Sequence, residues 1–207
     1  MSFPKKVFVV RAKPHGINRE EQFLDGTVSI GWPTKESLKG KSRNDVEATL
    51  KPDYQDITTV AITQIHNFVN IPVESIIITP SYKNRDIHIF KTKSEYIYVP
   101  EWADDEIGNP HTIEVEFIKT VPRNVFSEIV NRSLLAAKRT VTNFTKYTNE
   151  IQMIIKSDDM PFNAAEAKII GVENYAEIEA RQTLKELLKS SNEEIRLKAA
   201  LALLNKD

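Results

Sequence analysis

The side chains able to do covalent or metal chemistry are few, and their types restrict what that chemistry could be. The 207-residue chain has no cysteine and four scattered histidines. Disulfides, thiolate zinc sites and a cysteine nucleophile are therefore excluded, and little material is left for a metal centre. One set has the letters of metal-dependent phosphodiester hydrolysis. Asp158 and Asp159, followed by Glu166-Ala167-Lys168, supply acids and a lysine of the kind that hold a divalent ion and an attacking water. Its surroundings argue against that role. Such acids belong on adjacent strands, whereas Phe162 to Lys168 is alanine-rich and helix-like, and too little chain follows to build a nuclease core. Glycine-rich phosphate loops and a serine nucleophile elbow are also missing. The expectation is a protein without catalysis or cofactor, whose informative residues are those that bind.

The elements that would position them read as one domain with an appendage. Hydrophobic residues make up 41% and charged residues 28% of the chain, the balance of a soluble globular protein. No stretch approaches the roughly 18 apolar residues of a membrane span, and Met1 to Lys6 lacks the apolar region of a secretory signal. A cytoplasmic location with no membrane partner is expected. The net charge is -1, but it divides unevenly: residues 157–207 carry 7 Lys and Arg against 10 Asp and Glu, leaving 21 against 19 before them. A front portion at +2 permits a local basic face.

Lys6 to Ala12 predicts a strand, Arg19 to Leu24 a short helix capped by Asn18 and stopped by Gly26, and Thr27 to Trp32 a second strand halted by Pro33. Ser42 or Asn44 can cap a helix ending at Leu50. Ile57 to Val69 predicts a helix with Val60, Ala61, Ile65, Phe68 and Val69 on its buried face. Ser75 to Thr79 reads as a strand, and Ile87 to Phe90 with Glu95 to Val99 as a hairpin or one long bent strand. Thr112 to Thr120, where Ile113, Val115 and Phe117 alternate with acids, predicts a strand with one wet face. Ser127 to Lys138 and Thr148 to Lys156 look helical. The fold class is α+β, with domain boundaries at 1–156 and 157–207. The second segment should form two helices, about Asn174 to Lys189 and Asn192 to Leu204, the latter resembling one half of a HEAT-type helix pair. Such a pair cannot close a core alone and should dock on the domain or on a partner.

Four segments in this order are similar to a known family: Phe8-Val9-Val10-Arg11-Ala12, then Glu21 through Asp25-Gly26-Thr27-Val28-Ser29-Ile30-Gly31-Trp32, then Tyr96-Ile97-Tyr98, then Val115 through Val121-Pro122. They resemble the amino-terminal domain of Mrr-like restriction endonucleases, which is itself similar to the EVE and YTH branches of the PUA-like superfamily. The resemblance covers about Val7 to Val130. It implies a twisted sheet or small β-barrel with surrounding helices, a short helical hairpin being left at the C-terminus. It also implies a pocket that receives one base extruded from DNA or RNA, often a modified one, within a restriction or defence system. DNA is favoured over RNA.

A flipped base needs aromatic faces, edge donors or acceptors, and cations for the neighbouring phosphates. Trp32, Tyr82, Tyr96, Tyr98 and Trp102 supply rings, Ser29, Asn84 and Asp86 edge groups, and Arg11, Lys13, Lys83 and Arg85 charge. Each has a plainer reading beside this one. Trp32 lines a pocket mouth or plugs the core; Ser29 meets a base edge or faces solvent. Arg11 binds phosphate or pairs with Glu20 or Asp25. Tyr96 and Tyr98, two apart on one strand face, are presented or buried. Tyr82 to Asp86 is a substrate rim or a solvated turn, and Arg132, Lys138, Arg139, Lys146 and Lys156 track a phosphate backbone or coat a helix. Two other functions compete with a reader: an adaptor that binds an effector protein through residues 162–207, and a sensor of a nucleotide-like ligand.

Overall fold

Apolar, β-branched strands without a polar alternation need cover on both faces of their sheet, and two layers of helix supply it here for the strands Val7–Val10 and Ile76–Pro80. The structure, a computed structural model, describes residues 6–13, 16–104 and 107–156, and beyond these 187, 188, 192, 196–198 and 200. The chain divides into two compact units, Met1–Asp158 and Asp159–Asp207. The elements of the first are β1 (Val7–Val10), α1 (Glu20–Leu24), β2 (Thr27–Ile30), α2 (Arg43–Leu50), α3 (Thr59–Val69), β3 (Ile76–Pro80), β4 (Asp86–Thr92), β5 (Ile97–Tyr98), β6 (His111–Pro122), α4 (Glu128–Ala136), β7 (Val141–Asn143) and α5 (Thr148–Lys156). In the second unit 196–198 are helical, and the Arg196 N–H donates to the Asn192 carbonyl at 3.1 Å. The remainder of the expected helical hairpin, residues 157–168 with their acids and lysine, and His15 lie outside the described residues.

The sheet order is β2-β6-β4-β3-β1-β7, with β5 also on β6, and it curls into a half-barrel. β1 and β3 are parallel; the other pairs are antiparallel. Every residue of β1 and β3 is buried, because alternate side chains enter two different cores. Phe8, Val10, Ile77 and Phe90 meet Val46, Leu50, Ile62, Ile65 and Phe68 of α2 and α3 on one face. Val7, Val9, Ile76, Ile78, Ile87 and Ile89 meet Val130, Leu134, Ile151 and Ile154 of α4 and α5 on the other.

β6 organises the rest. Its first residues, His111–Glu114, pair with β2, while Val115–Pro122 pair with β4. A bulge leaves Ile118 unpaired between Lys119 and Phe117, which adds twist where the sheet turns. The segments read as a hairpin or one long bent strand do not form a hairpin: β4 and β5 run in the same direction along β6, their pairing continuing from Thr92 opposite Val115 to Ile97 opposite Thr112 across a break at residues 93–96. α2 opens on a capping box, Ser42 Oγ accepting from Asp45 N and Asp45 returning to Ser42 N. α3 begins at Thr59, capped by Thr58. This leaves Val60 exposed on the first turn, with Ile62 and Gln64 turned inward in place of the expected Val60 and Ala61.

Candidate nucleic-acid interface

α1 is only five residues long, too short to hold itself together by its own hydrogen bonds, so tertiary contacts fix it. The Arg19 N–H donates to the Ala12 carbonyl at 2.6 Å, tying the helix start to the end of β1. Arg19 occupies the N-cap position, and Asn18, the cap expected from sequence, accepts from the Glu20 N–H at 3.0 Å. Gly26 ends the helix at a φ of +98°, its carbonyl accepting from Val115 N, and a Cβ there would stand 3.3 Å from the Val115 oxygen. Only glycine enters β2 this way without displacing β6.

Two residues of α1 then face different neighbours. Glu20, at the first position of the helix, is 3% exposed. Its carboxylate accepts from Ser81 Oγ at 2.7 Å, from the Tyr82 N–H at 2.9 Å, and lies 2.8 Å from His88 Nε2. Burial works against its charge, but these donors outweigh it and hold the carboxyl below the usual range. Gln22 meets Ser29, whose Oγ donates to Gln22 Oε1 at 3.4 Å, and the polar side chains around this pair form a buried recess of the packing. Alternation along β2 sends Val28 and Ile30 into the first core and Ser29 to the opposite side, where it is fully buried. Asn109 Nδ2 donates to Ser29 Oγ and, at 3.0 Å, to Gln22 Oε1. Arg19 adds a bond to the Ile107 carbonyl at 2.6 Å.

The recess holds more polar groups than it satisfies. Gln22 Nε2, Asn109 Oδ1 and Arg19 Nε are all buried without a hydrogen-bond partner. Orphaned groups of this kind cost about 1–3 kcal/mol each; two belong to the bonded Gln22–Asn109 pair and the third to Arg19, whose Nη2 donates to the Ile107 carbonyl, so two donors and an acceptor are left without partners. The Trp102 carbonyl accepts from the Asn109 N–H at 3.1 Å, which ties a half-exposed indole segment to the same place.

A second feature lies past the end of β2. Trp32 adopts a φ of +64°, a left-handed conformation costing roughly 1–3 kcal/mol in a bulky residue. His111 holds it there: Nε2 lies 2.9 Å from the Trp32 carbonyl and Nδ1 lies 2.8 Å from the Tyr96 hydroxyl. Because a carbonyl can only accept, Nε2 carries the proton and Nδ1 accepts from tyrosine. Burial pushes the His111 imidazole down to about 4, so it is neutral near pH 7. With Tyr54, Gln55, Asp56, Ile57, Thr58 and Ala61, Trp32 lines an open cleft of about 440 Å³.

The sequence candidates thus fall into three groups. Ser29 lies in the recess. Trp32, Tyr96 and Tyr98 surround His111; Tyr96 is buried, its oxygen also accepting from the Leu38 N–H, and the Tyr98 hydroxyl donates to the Thr34 carbonyl. Both tyrosines brace the Trp32 segment. Arg11, Tyr82, Asn84 and Arg85 gather where β1 ends and β4 begins. Register places Asp86 opposite Pro122 and Ile30 opposite His111, so this group and the Trp32 group adjoin opposite ends of β6. Arg11 pairs with neither Glu20 nor Asp25 and instead donates from Nε to the Ala137 carbonyl at 2.7 Å. The Tyr82 ring is 41% exposed beneath Lys13 Nζ at 5.6 Å, while Asn84 is spent on Asp86.

Sequence reasoning missed Arg19, Gln22, Asn109, His111 and Arg123. Gln22 and Arg19 offered one signal, since the N-cap Arg19 and Gln22 lie three apart at a helix that buries Phe23 in the core. Asn109, between Gly108 and Pro110, reads only as a turn. Among the described residues no helix is long and apolar enough to cross a membrane, and no three His, Cys, Asp or Glu side chains cluster as metal ligands. No family model matches the chain, and no curated protein matches it significantly.

Proposed function

We propose that the first unit is a PUA-like reader of nucleic acid, without catalysis of its own, that accepts an extruded base at the Ser29 recess, DNA being favoured over RNA. The observation that carries this reading is the orphaned trio of Gln22 Nε2, Asn109 Oδ1 and Arg19 Nε. Side-by-side amide donors and acceptors complement the edge of a base, which always presents both kinds. Entry of a base gives these three groups the partners that they lack in the free protein. The energy forfeited by three unpartnered groups in the free protein is then recovered on binding.

The test is anisotropy of labelled single-stranded and duplex oligonucleotides, with plain and methylated bases, at low salt. Gln22→Glu keeps the oxygen to which Asn109 donates and replaces the orphaned donor with an acceptor. It is expected to weaken binding about tenfold or more, the size of a lost base-edge contact, without lowering the melting temperature by more than a few degrees. Absence of binding to every oligonucleotide, or unchanged affinity in Gln22→Glu, would contradict the reading. The strain at Trp32 favours a second placement, with the base stacked in the open cleft beside Asp56 and Gln55. There, Trp32→Ala abolishes binding while Gln22→Glu leaves it intact.

A further inference from the structure

Three arginines from distant parts of the sequence meet where β1, β4 and β6 reach the same end of the sheet. Arg11 follows β1, Arg85 precedes β4 and Arg123 follows β6. Main-chain bonds hold two of them in register, since the Arg123 N–H donates to the Arg85 carbonyl at 3.0 Å. The third is fastened from the other side: Arg11 N donates to the Thr140 carbonyl at 2.9 Å and its Nε to the carbonyl of Ala137, which caps the C-terminus of α4. Arg85 and Arg123 line a concave site of about 480 Å³ with Asp86, Asn124, Asn131 and Leu135.

None of the three guanidiniums has a carboxylate partner among the described residues. Asp86, the acid in the lining, already accepts from Asn84 at 2.7 Å. Arg123 Nε is buried and makes no hydrogen bond. Burial, then the like charges of Arg11 and Arg85, pull the Arg123 guanidinium below its usual range. A folded chain that collects three cations and leaves one buried donor idle gains nothing from them by itself, because like charges repel and an unmade charged hydrogen bond is costly. An oxyanion relieves both costs. The guanidinium fork suits phosphate, whose oxygens accept paired N–H bonds.

We propose that Arg11, Arg85 and Arg123 form a phosphate clamp that takes a backbone phosphate of the nucleic acid whose base enters the recess. The clamp thus rests on the function proposed above. α1 connects the two sites. Glu20 fixes the Ser81–Tyr82 turn from which the chain runs to Arg85, and Gln22, two residues on, stands in the recess. A base and a phosphate further along the same strand could therefore be engaged across one short helix, with the Tyr82 ring and Lys13 beside it. The clamp supplies charge and orientation and carries no sequence information.

Salt dependence of binding reads the clamp directly. With the full chain and a single-stranded oligonucleotide, log K plotted against log salt has a slope of about -0.7 for each phosphate neutralised. Arg123→Gln and, because it is exposed and safer for folding, Arg85→Gln are each expected to make the slope shallower, by no more than that amount because the three arginines share one phosphate. Affinity should fall by a similar factor for every base sequence, whereas Gln22→Glu lowers affinity without changing the slope. Unchanged slopes in both arginine variants would overturn the clamp while leaving the recess standing. If no oligonucleotide binds at all, the recess reading fails, and titration of inorganic phosphate against the Arg Nε–H resonances decides the clamp. A shift of Arg123 that Arg85→Gln weakens supports a phosphate site fed by free phosphate, and no shift overturns it.

Discussion

Glu20→Ala is expected to lower the stability of the first unit by about 3–5 kcal/mol, the scale on which removal of one member of a buried charged network acts. The carboxylate is the shared acceptor for Ser81, the Tyr82 backbone and His88. Its removal leaves the buried His88 ring and two part-buried donors, Ser81 Oγ and the Tyr82 N–H, without this partner, an unmade buried bond costing about 1–3 kcal/mol and such costs not being additive. For a domain of this length, 1 kcal/mol moves the melting temperature by about 2–4 °C, so a fall of about 6–20 °C should be seen by calorimetry. The turn it anchors carries Tyr82 and leads to Arg85, so oligonucleotide binding should weaken even well below the new melting temperature. A change of less than 2 °C would mean that the Glu20 network contributes little. Exposed Glu21, paired with Lys83 at 3.0 Å, is the natural control, since surface ion pairs contribute little.

Acid is expected to destabilise the fold in two stages. His111 is held neutral in the folded protein, down to about 4, whereas in the unfolded chain it titrates near 6.5. Above pH 6.5 both states are neutral and the group makes no difference. As pH falls from 6.5 towards 4, the unfolded state takes the proton first, and stability drops by up to about 3 kcal/mol. Glu20 follows the carboxylate rule: its folded value is lowered, so its contribution is present above about 4.5 and is lost as pH falls through the folded value. Chemical denaturation from pH 8 to 4 measures the sum. His111→Gln retains one donor for the Trp32 carbonyl and one acceptor for Tyr96 but does not titrate. In that variant the decline between pH 6.5 and 4.5 should flatten, and persistence of the full slope would assign it to other groups.

What could be read from the residues was mostly local. β-branched runs placed β1, β2 and β3 and alternation placed β6, each to within a residue or two, and side-chain capping rules offered Ser42 or Asn44 for the start of α2, which is Ser42. β7 was not legible, because three residues after Lys138-Arg139-Thr140 carry no period and become a strand only by pairing with β1. The same limit applied to the site. Residue types identified Ser29, and alternation showed that it must face away from Val28 and Ile30, but not what it would face. Gln22 and Asn109 stand 87 residues apart, and their meeting depends on α1 lying across the curled sheet. The candidates also looked like one pocket because they share chemical character. The register of β6 separates Trp32 from Arg85, and this follows from pairing and not from residue identity. His111 was hidden because a histidine beginning an alternating strand gives no sign that its two nitrogens will join Tyr96 to the Trp32 backbone. Arg123 was obscured likewise, its significance lying in the company of Arg11 and Arg85.

The central claim is that the unpartnered groups at Ser29 are the surface that meets a base. The most direct measurement is the side-chain amide spectrum of the ¹⁵N-labelled full chain during addition of the best-binding oligonucleotide. The account predicts that the NH₂ resonances of Gln22 and Asn109 and the Nε–H of Arg19 shift together, saturating with the same Kd found by anisotropy. If the oligonucleotide binds while those resonances stay in place and only the Trp32 indole moves, the base is read elsewhere and the account is wrong.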